Sequence, residues 1–236
     1  MLLFVPSTIT NIYAPIYIFN MKITSILLNW KRAHNIESNL KTILSEPECG
    51  EVILWDNSGI FKTDYPITVI NSQKNLGANI RYSLASMASY DNIFMMDDDI
   101  KIKPGLFSDL LKYSDDNTAL GICGKIFNKG DYSYKEGEII KSEELDEYPR
   151  AVNHIIAYCM LMKKWMFLNH DYSKFSWTCG EIDLFGRLPR VNKLIIPTDK
   201  FENLHDMTDE NALSLKPGAD EEYERTFKKY YANPNI

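Results

Sequence analysis

The sequence predicts an α/β protein: a doubly wound mixed sheet with helices on both faces, in a single domain. Three observations predict it. Short, nearly uninterrupted apolar runs such as Ile23 to Asn29 (ITSILLN) are what strands buried on both faces look like. These runs alternate with stretches of helical periodicity, the βαβαβ rhythm that builds parallel sheets. One run, Asn92 to Met96, ends in three consecutive carboxylates, Asp97-Asp98-Asp99, at the place where open α/β sheets put their ligand sites.

After the first strand, Ala33 to Ser45 carries Ile36, Leu40, Ile43 and Leu44 at helical spacing. Glu51 to Asp56 is the second strand, closed by the turn-forming Asn57-Ser58-Gly59. Ile67 to Ile70 is the third, and the helical pattern of Leu76 to Ser89 leads into the triplet strand. Further on, the pattern predicts a helix near Pro104 to Tyr113, a strand over Ala119 to Phe127 and a polar loop or hairpin over Asn128 to Tyr148. A central strand is expected in the apolar run Ala151 to Met162, loop into helix over Phe175 to Leu188, and a last strand over Lys193 to Pro197. The charged tail from Asp209 is expected to be mobile.

Twenty-six Lys and Arg against 32 Asp and Glu give a net charge of −6 and a pI near 5.3, which argues against a general nucleic-acid binder. Cys49, Cys123, Cys159 and Cys179 lie far apart with no CxxC pair, so reduced cysteines in a cytoplasmic protein are the expectation. Residues 1-20 are apolar and aromatic but lack Lys and Arg and are interrupted by Pro6 and Pro15. They fit neither a signal peptide nor a transmembrane segment, and are read as an N-terminal extension with at most a weak membrane-surface contact.

Three adjacent anions repel one another, so a cation belongs among them. Mg²⁺ or Mn²⁺ holding a diphosphate is the economical choice, since these ions take oxygen from one or two carboxylates plus substrate phosphates. The alternative is a solvated loop in which one Asp caps the helix near Pro104.

With the strand and triplet in view, the chain resembles nucleotide-sugar glycosyltransferases of the GT-A fold over roughly Lys22 to Asp206. Asp97-Asp98-Asp99 matches their DxD element. Gly180-Glu181-Ile182-Asp183-Leu184-Phe185-Gly186-Arg187-Leu188 is similar to the ED-x-D-L-x-x-R-L signature of the family-2 enzymes, departing at Gly180, where the family has its first acid. Trp55-Asp56-Asn57-Ser58-Gly59, Met95 to Asp99 and Cys179-Gly180-Glu181 also resemble the exostosin-like hexosaminyltransferases. Family-2 enzymes invert the anomeric centre and exostosin-like ones retain it, and both outcomes stay open.

The resemblance implies a metal-dependent transferase, with a nucleotide-binding half over about 21-103 and an acceptor-binding half over about 104-236. The donor would be a nucleotide sugar, most simply a UDP-sugar, and the acceptor a carbohydrate. Asp97, Asp99 and His205 would hold Mn²⁺ or Mg²⁺, and Asp97 and Asp98 would also reach the donor. Asp56, Asn57, Asn79 and Arg81 are the other nucleotide candidates, with Asn75, Gly77 and Arg32 nearby. Glu181 and Asp183 are the catalytic candidates, with acids in the first turn of a helix as the plain alternative. Arg225 and Lys228 are read either as a flap over the diphosphate or as a solvated helix face. His154, on an apolar strand, is expected to be a packed, hydrogen-bonded core residue. Two other classes remain: a sugar-nucleotide-binding protein without turnover, and a haloacid-dehalogenase-like phosphatase, whose DxD would follow the first strand rather than a later one.

Overall fold

The computed structural model describes residues 21–128, 131, 133–204 and 216–231. Strands β1 (Ile23–Asn29), β2 (Cys49–Asp56), β3 (Thr68–Asn71) and β4 (Asn92–Met96) are mutually parallel, with helix α1 (Ala33–Ser45) after β1 and α2 (Ile80–Leu84) before β4. There follow β5 (Ile100–Ile102), α3 (Leu106–Leu111), β6 (Thr118–Gly121), β7 (Cys123–Ile126), β8 (Glu138–Lys141), β9 (Arg150–Ala151), β10 (His154–Ile155), β11 (Cys159–Lys163), α4 (Gly180–Gly186), β12 (Asn192–Ile195), β13 (Phe201–Asn203) and α5 (Ala219–Tyr230).

The main sheet runs β3-β2-β1-β4-β11-β6-β12-β9. β11 is antiparallel to both its neighbours, which makes the sheet mixed. Successive residues of each central strand face opposite sides, as the two-residue period requires. Ile26, Met95 and Met160 join one core with Tyr82 of α2 and Phe185 of α4, while Leu27, Phe94 and Leu161 join the other with Leu40 of α1 and Phe107 of α3. Helices therefore cover both faces, and the near-continuous apolar runs are explained.

Strand order reverses at β1: the chain steps outward to β2 and β3, then returns to place β4 on the other side. The crevice between the carboxyl ends of β1 and β4 is thus a topological switch point, where such sheets bind ligands. Asn39 of α1 fixes its rim. Its amide donates to the Ile100 carbonyl (2.7 Å) and accepts from Ile102 N–H (3.0 Å), tying α1 to β5 just past the triplet.

Several elements differ from expectation. The helix read over Leu76 to Ser89 shrinks to α2 and a 3₁₀ turn at Ala85–Met87, because Asn57 takes Leu76 N–H (2.9 Å) and donates to the Gly77 carbonyl (3.2 Å), and Gly77 lies at φ +75°. Ala119 to Phe127 is two strands in two sheets, β6 in the main one and β7 between β8 and β10. The run Ala151 to Met162 contains parts of three strands, of which only β11 is central. β12 is not the last strand, since β13 pairs with β5. Within the charged tail, Ala219–Tyr230 is a helix packed on α4, with the Tyr230 ring against Gly186, and its fully buried Phe227 packs on Phe127 and Tyr134. No helix among the described residues is long and apolar enough to cross a membrane.

Candidate active site

A cleft of about 600 Å³ opens at the switch point. Leu28, Trp30 and Arg32 line it from the end of β1, Asn57 from the end of β2, Asn75, Gly77, Ala78 and Asn79 from the loop into α2 with Arg81 in its first turn, and the triplet from the end of β4; Gly180 and Glu181 contribute from α4. Beyond them, Lys125, Tyr134, Lys135 and Ile139 of the β7–β8 region and Asp220, Tyr223 and Glu224 of α5 complete the wall.

Within the protein, the cations among the three carboxylates are arginines. Arg81, 3% exposed, pairs with Asp97, and Arg32 pairs with Asp98. Burial alone would lower the Arg81 pKa, but the Asp97 carboxylate outweighs it and holds the guanidinium charged. Asp98 also accepts from Trp30 N–H at 2.7 Å, and its carbonyl accepts from Asn35 Nδ2 at 2.9 Å, so it bridges the ends of β1 and β4. Asp98 is therefore a buried brace, and Asp97 and Asp99 are the members of the triplet that remain partly exposed to the cleft, at 30% and 16%. No Asp of the triplet caps a helix: β5 follows it, and α3 is capped by Gly105 at φ +93°.

Glu181 lies in the first turn of α4, 7% exposed, in the cleft wall. Burial raises its carboxyl pKa to about 7; its own backbone N–H and Arg81 work against the rise, and Asp97 and Asp183 add to it. A carboxyl that exchanges its proton near neutrality is the electrostatic profile of a general base. Gly180 explains the departure from the acidic signature. A Cβ there would lie 1.7 Å from Asn79 Oδ1, and Asn79 is fixed in turn by its hydrogen bond to the Ser176 carbonyl. With Asn79 in that place, no side chain fits at position 180.

Three of the expected residues are placed differently. Asp56 is fully buried outside the cleft lining. Its carboxylate accepts from Asn29 Nδ2 (2.7 Å), Ser58 N–H and Oγ (3.0 and 2.6 Å), and the N–H groups of Ile60 and Phe61 (both 2.7 Å). These hydrogen bonds shape the loop after β2. Asp183, 2% exposed, also lies outside the lining; it accepts from Ser176 N–H (2.7 Å), Lys229 Nζ (2.8 Å) and Tyr230 Oη (2.7 Å), joining α4 to α5. His154 is fully buried as expected, but neither ring nitrogen has a hydrogen-bond partner among the described residues, and burial, with Lys125 and Lys193 near, lowers its pKa to about 3. Asn57, Asn79 and Arg81 do line the cleft, with Asn57 shaping the Asn75 to Gly77 loop. His205 and Asp206 lie outside the described residues. Arg225 sits on a solvated face beside Glu222 (3.7 Å), and neither it nor Lys228 lines the cleft.

Compared with known families, residues 50–175 match the model of glycosyl transferase family 2, more than half of the chain. The chain belongs to that family. No curated protein matches it at a significant level. Among solved structures, this family-2 chain is similar to S. aureus TarS 1-349 in complex with UDP-GlcNAc, with 13% identity, TM-score 0.57, and coverage of 83% of this chain and 61% of that one. A second crystal structure of S. aureus TarS 1-349 gives 12%, 0.54, 77% and 59%. The mannosyltransferase PcManGT from Pyrobaculum calidifontis, in complex with GDP-Man and Mn²⁺, gives 12%, 0.52, 75% and 55%. At these identities the likeness is one of fold, and this chain spans about three-fifths of the length of those chains. Membership of a transferase family, with the triplet following β4 rather than β1, removes the phosphatase reading.

Sequence reading of this family-2 chain missed the far end of the cleft: Lys125, Tyr134, Lys135, Tyr223 and Glu224. They come from segments nearly a hundred residues apart, and none forms a motif. The only signal was the aromatic and charged character of α5, which reads equally as an exposed surface.

Proposed function

We propose that the protein is a metal-dependent glycosyltransferase that moves a sugar from a nucleoside diphosphate donor, most simply a UDP-sugar, to a hydroxyl of a carbohydrate acceptor. The observation that carries this reading is that Asp97, Asp99 and the buried Glu181 line one cleft at the switch point of the sheet. The four cysteines are free, in keeping with a reducing, cytoplasmic setting.

The donor set suits a hard divalent ion. Among the described residues no group of three His, Cys, Asp or Glu is arranged to hold a metal unaided. Two carboxylates, Asp97 and Asp99, are what Mg²⁺ or Mn²⁺ needs when substrate phosphates and water complete the shell, with His205 as the further candidate. Such an ion would neutralise the leaving diphosphate. The chain's own residues do the rest. Arg81 holds Asp97, and Arg32 with Trp30 N–H holds Asp98, so the strand end is pre-set against its own repulsion. Asn57 and Asn79 fix the loops flanking the nucleotide side. Glu181 takes the proton of the acceptor hydroxyl as its oxygen bonds to the sugar C1 and the C1–O bond to the diphosphate breaks, its electron pair leaving with the diphosphate. Attack from the face opposite the leaving group inverts C1.

Calorimetric titration of UDP with Mn²⁺ and then with chelator tests the reading. Binding is expected with the metal and at least tenfold weaker without it, and Asp99→Asn should lower the affinity with the melting temperature preserved. Equal affinity in both conditions removes the metal role.

A further inference from the structure

Burying an ammonium without a counter-charge is costly, and proteins pair such groups with a carboxylate or leave them to meet an anion. Lys125 of β7 is 6% exposed and lines the cleft. Among the described residues, no carboxylate lies within ion-pair distance of it. Its Nζ donates to the Tyr134 carbonyl (2.6 Å) and sits 3.9 Å from the centre of the Tyr134 ring. Among the described residues, that leaves ammonium hydrogens without a hydrogen-bond acceptor.

Among the described residues the surroundings supply no directly paired counter-charge. His154, its partner across the β7–β10 pair, is held neutral by burial, and burial raises the Cys123 thiol to about 11. Burial lowers the Lys125 pKa and the field of Glu224 opposes this, but the Glu224 carboxylate is not within ion-pair distance of Nζ and is held by Ser133 Oγ (2.7 Å) and Tyr134 N–H (3.2 Å). Lys135, on the same wall, is occupied by Asp220 at 2.7 Å. Tyr134 and Tyr223, with ring centres 5.0 Å apart, form an aromatic wall beside the ammonium on which the apolar face of a pyranose can lie. These residues come from β7, the segment before β8, and α5, away from the β1, β2 and β4 ends that frame the nucleotide side.

We infer that Lys125 is the counter-charge for an acidic group on the acceptor, so that this end of the cleft selects a sugar bearing a carboxylate or a phosphate. This rests on the transferase reading above for the identity of the ligand as an acceptor. It adds a specificity-determining residue that no sequence motif marks.

Three probes separate the possibilities: methyl β-glucuronide, glucose 6-phosphate and the neutral methyl β-glucoside. Their binding to the full chain is measured by saturation-transfer NMR, with and without UDP and Mn²⁺, for the parent and for Lys125→Met, a substitution close in volume. One of the anionic probes is expected to bind about 10- to 100-fold more tightly than the glucoside, the range of a hydrogen bond to a charged group, and which one tells carboxylate from phosphate. Lys125→Met should erase that preference and leave UDP affinity within about twofold. Equal binding of all three probes by the parent, or binding of none, overturns the inference without recourse to the variant. A Lys125→Met protein that keeps the preference overturns it too, as does one that loses UDP affinity tenfold, which would move Lys125 to the donor. Failure of the transferase reading shows separately, as absence of UDP binding by the parent.

Discussion

At the scale of single residues, chemistry and architecture compete for the same side-chain types, and hydrogen-bond saturation tells them apart. Asp56 and Glu181 are both buried acids beside the sheet's carboxyl edge. Asp56 has five short donors and is held below the usual carboxylate range: burial would raise it, but the hydrogen bonds from Ser58, Phe61 and Asn29 prevail. Glu181 is poorly compensated and rises to about 7. Glu181→Gln should therefore lower turnover by about 10² to 10⁴ with UDP affinity nearly unchanged. For a base, the parent rate should climb with pH through about 7, and the residual rate of the variant should lose that step. Linkage gives a second readout. A carboxyl whose folded pKa lies above its unfolded value costs stability as pH rises from the unfolded value of 4.5 to about 7. Glu181→Gln should consequently melt above the parent at pH 8 and level with it near pH 4. A variant that turns over at the parent rate would dismiss Glu181 as the base.

At the scale of elements, α5 organises the approach to Glu181. Glu222 accepts from Ser176 Oγ (2.6 Å), Trp177 N–H (3.0 Å) and Thr178 Oγ1 (2.8 Å), and Tyr223 Oη donates to the Thr178 carbonyl (3.2 Å). Lys229 and Tyr230 close the far end on Asp183. The short α4 is held by these bonds rather than by its own seven residues, since so short a helix has little stability alone. Asp183→Asn is expected to cost about 1–3 kcal/mol of stability, seen in denaturant melts, because a buried acceptor of three donors is weakened. Its turnover should fall less than that of Glu181→Gln. Unchanged stability with abolished turnover would return Asp183 to the chemistry.

For the whole molecule, the described residues from Met21 onward already assemble two cores and the switch point. β1 has all seven residues buried, and its partners are β2 and β4. A chain begun at Met21 should therefore fold and bind UDP as the full chain does, with about 2.7 kcal/mol of added stability at 100 times the dissociation constant. Loss of soluble expression would show that residues 1–20 complete a core.

The sequence by itself determined the sheet's parallel half, the place of the triplet and the acid of α4. Each is a local matter: apolar runs of strand length, helical spacing in Ile36, Leu40 and Ile43, and carboxylates crowded beyond what water alone would explain. Tertiary structure decided which acids are available. Asp56 and Asp183 look as reactive in the sequence as Glu181, and only the partners folded around them, from Asn29 to Tyr230, show how many hydrogen bonds each already accepts. The same holds for Gly180, whose missing side chain answers to Asn79 a hundred residues earlier, and for Lys125, whose missing counter-charge is visible only when β7, β10 and α5 enclose it. Periodicity is written along the chain, whereas saturation of a buried polar group depends on neighbours that folding alone brings together.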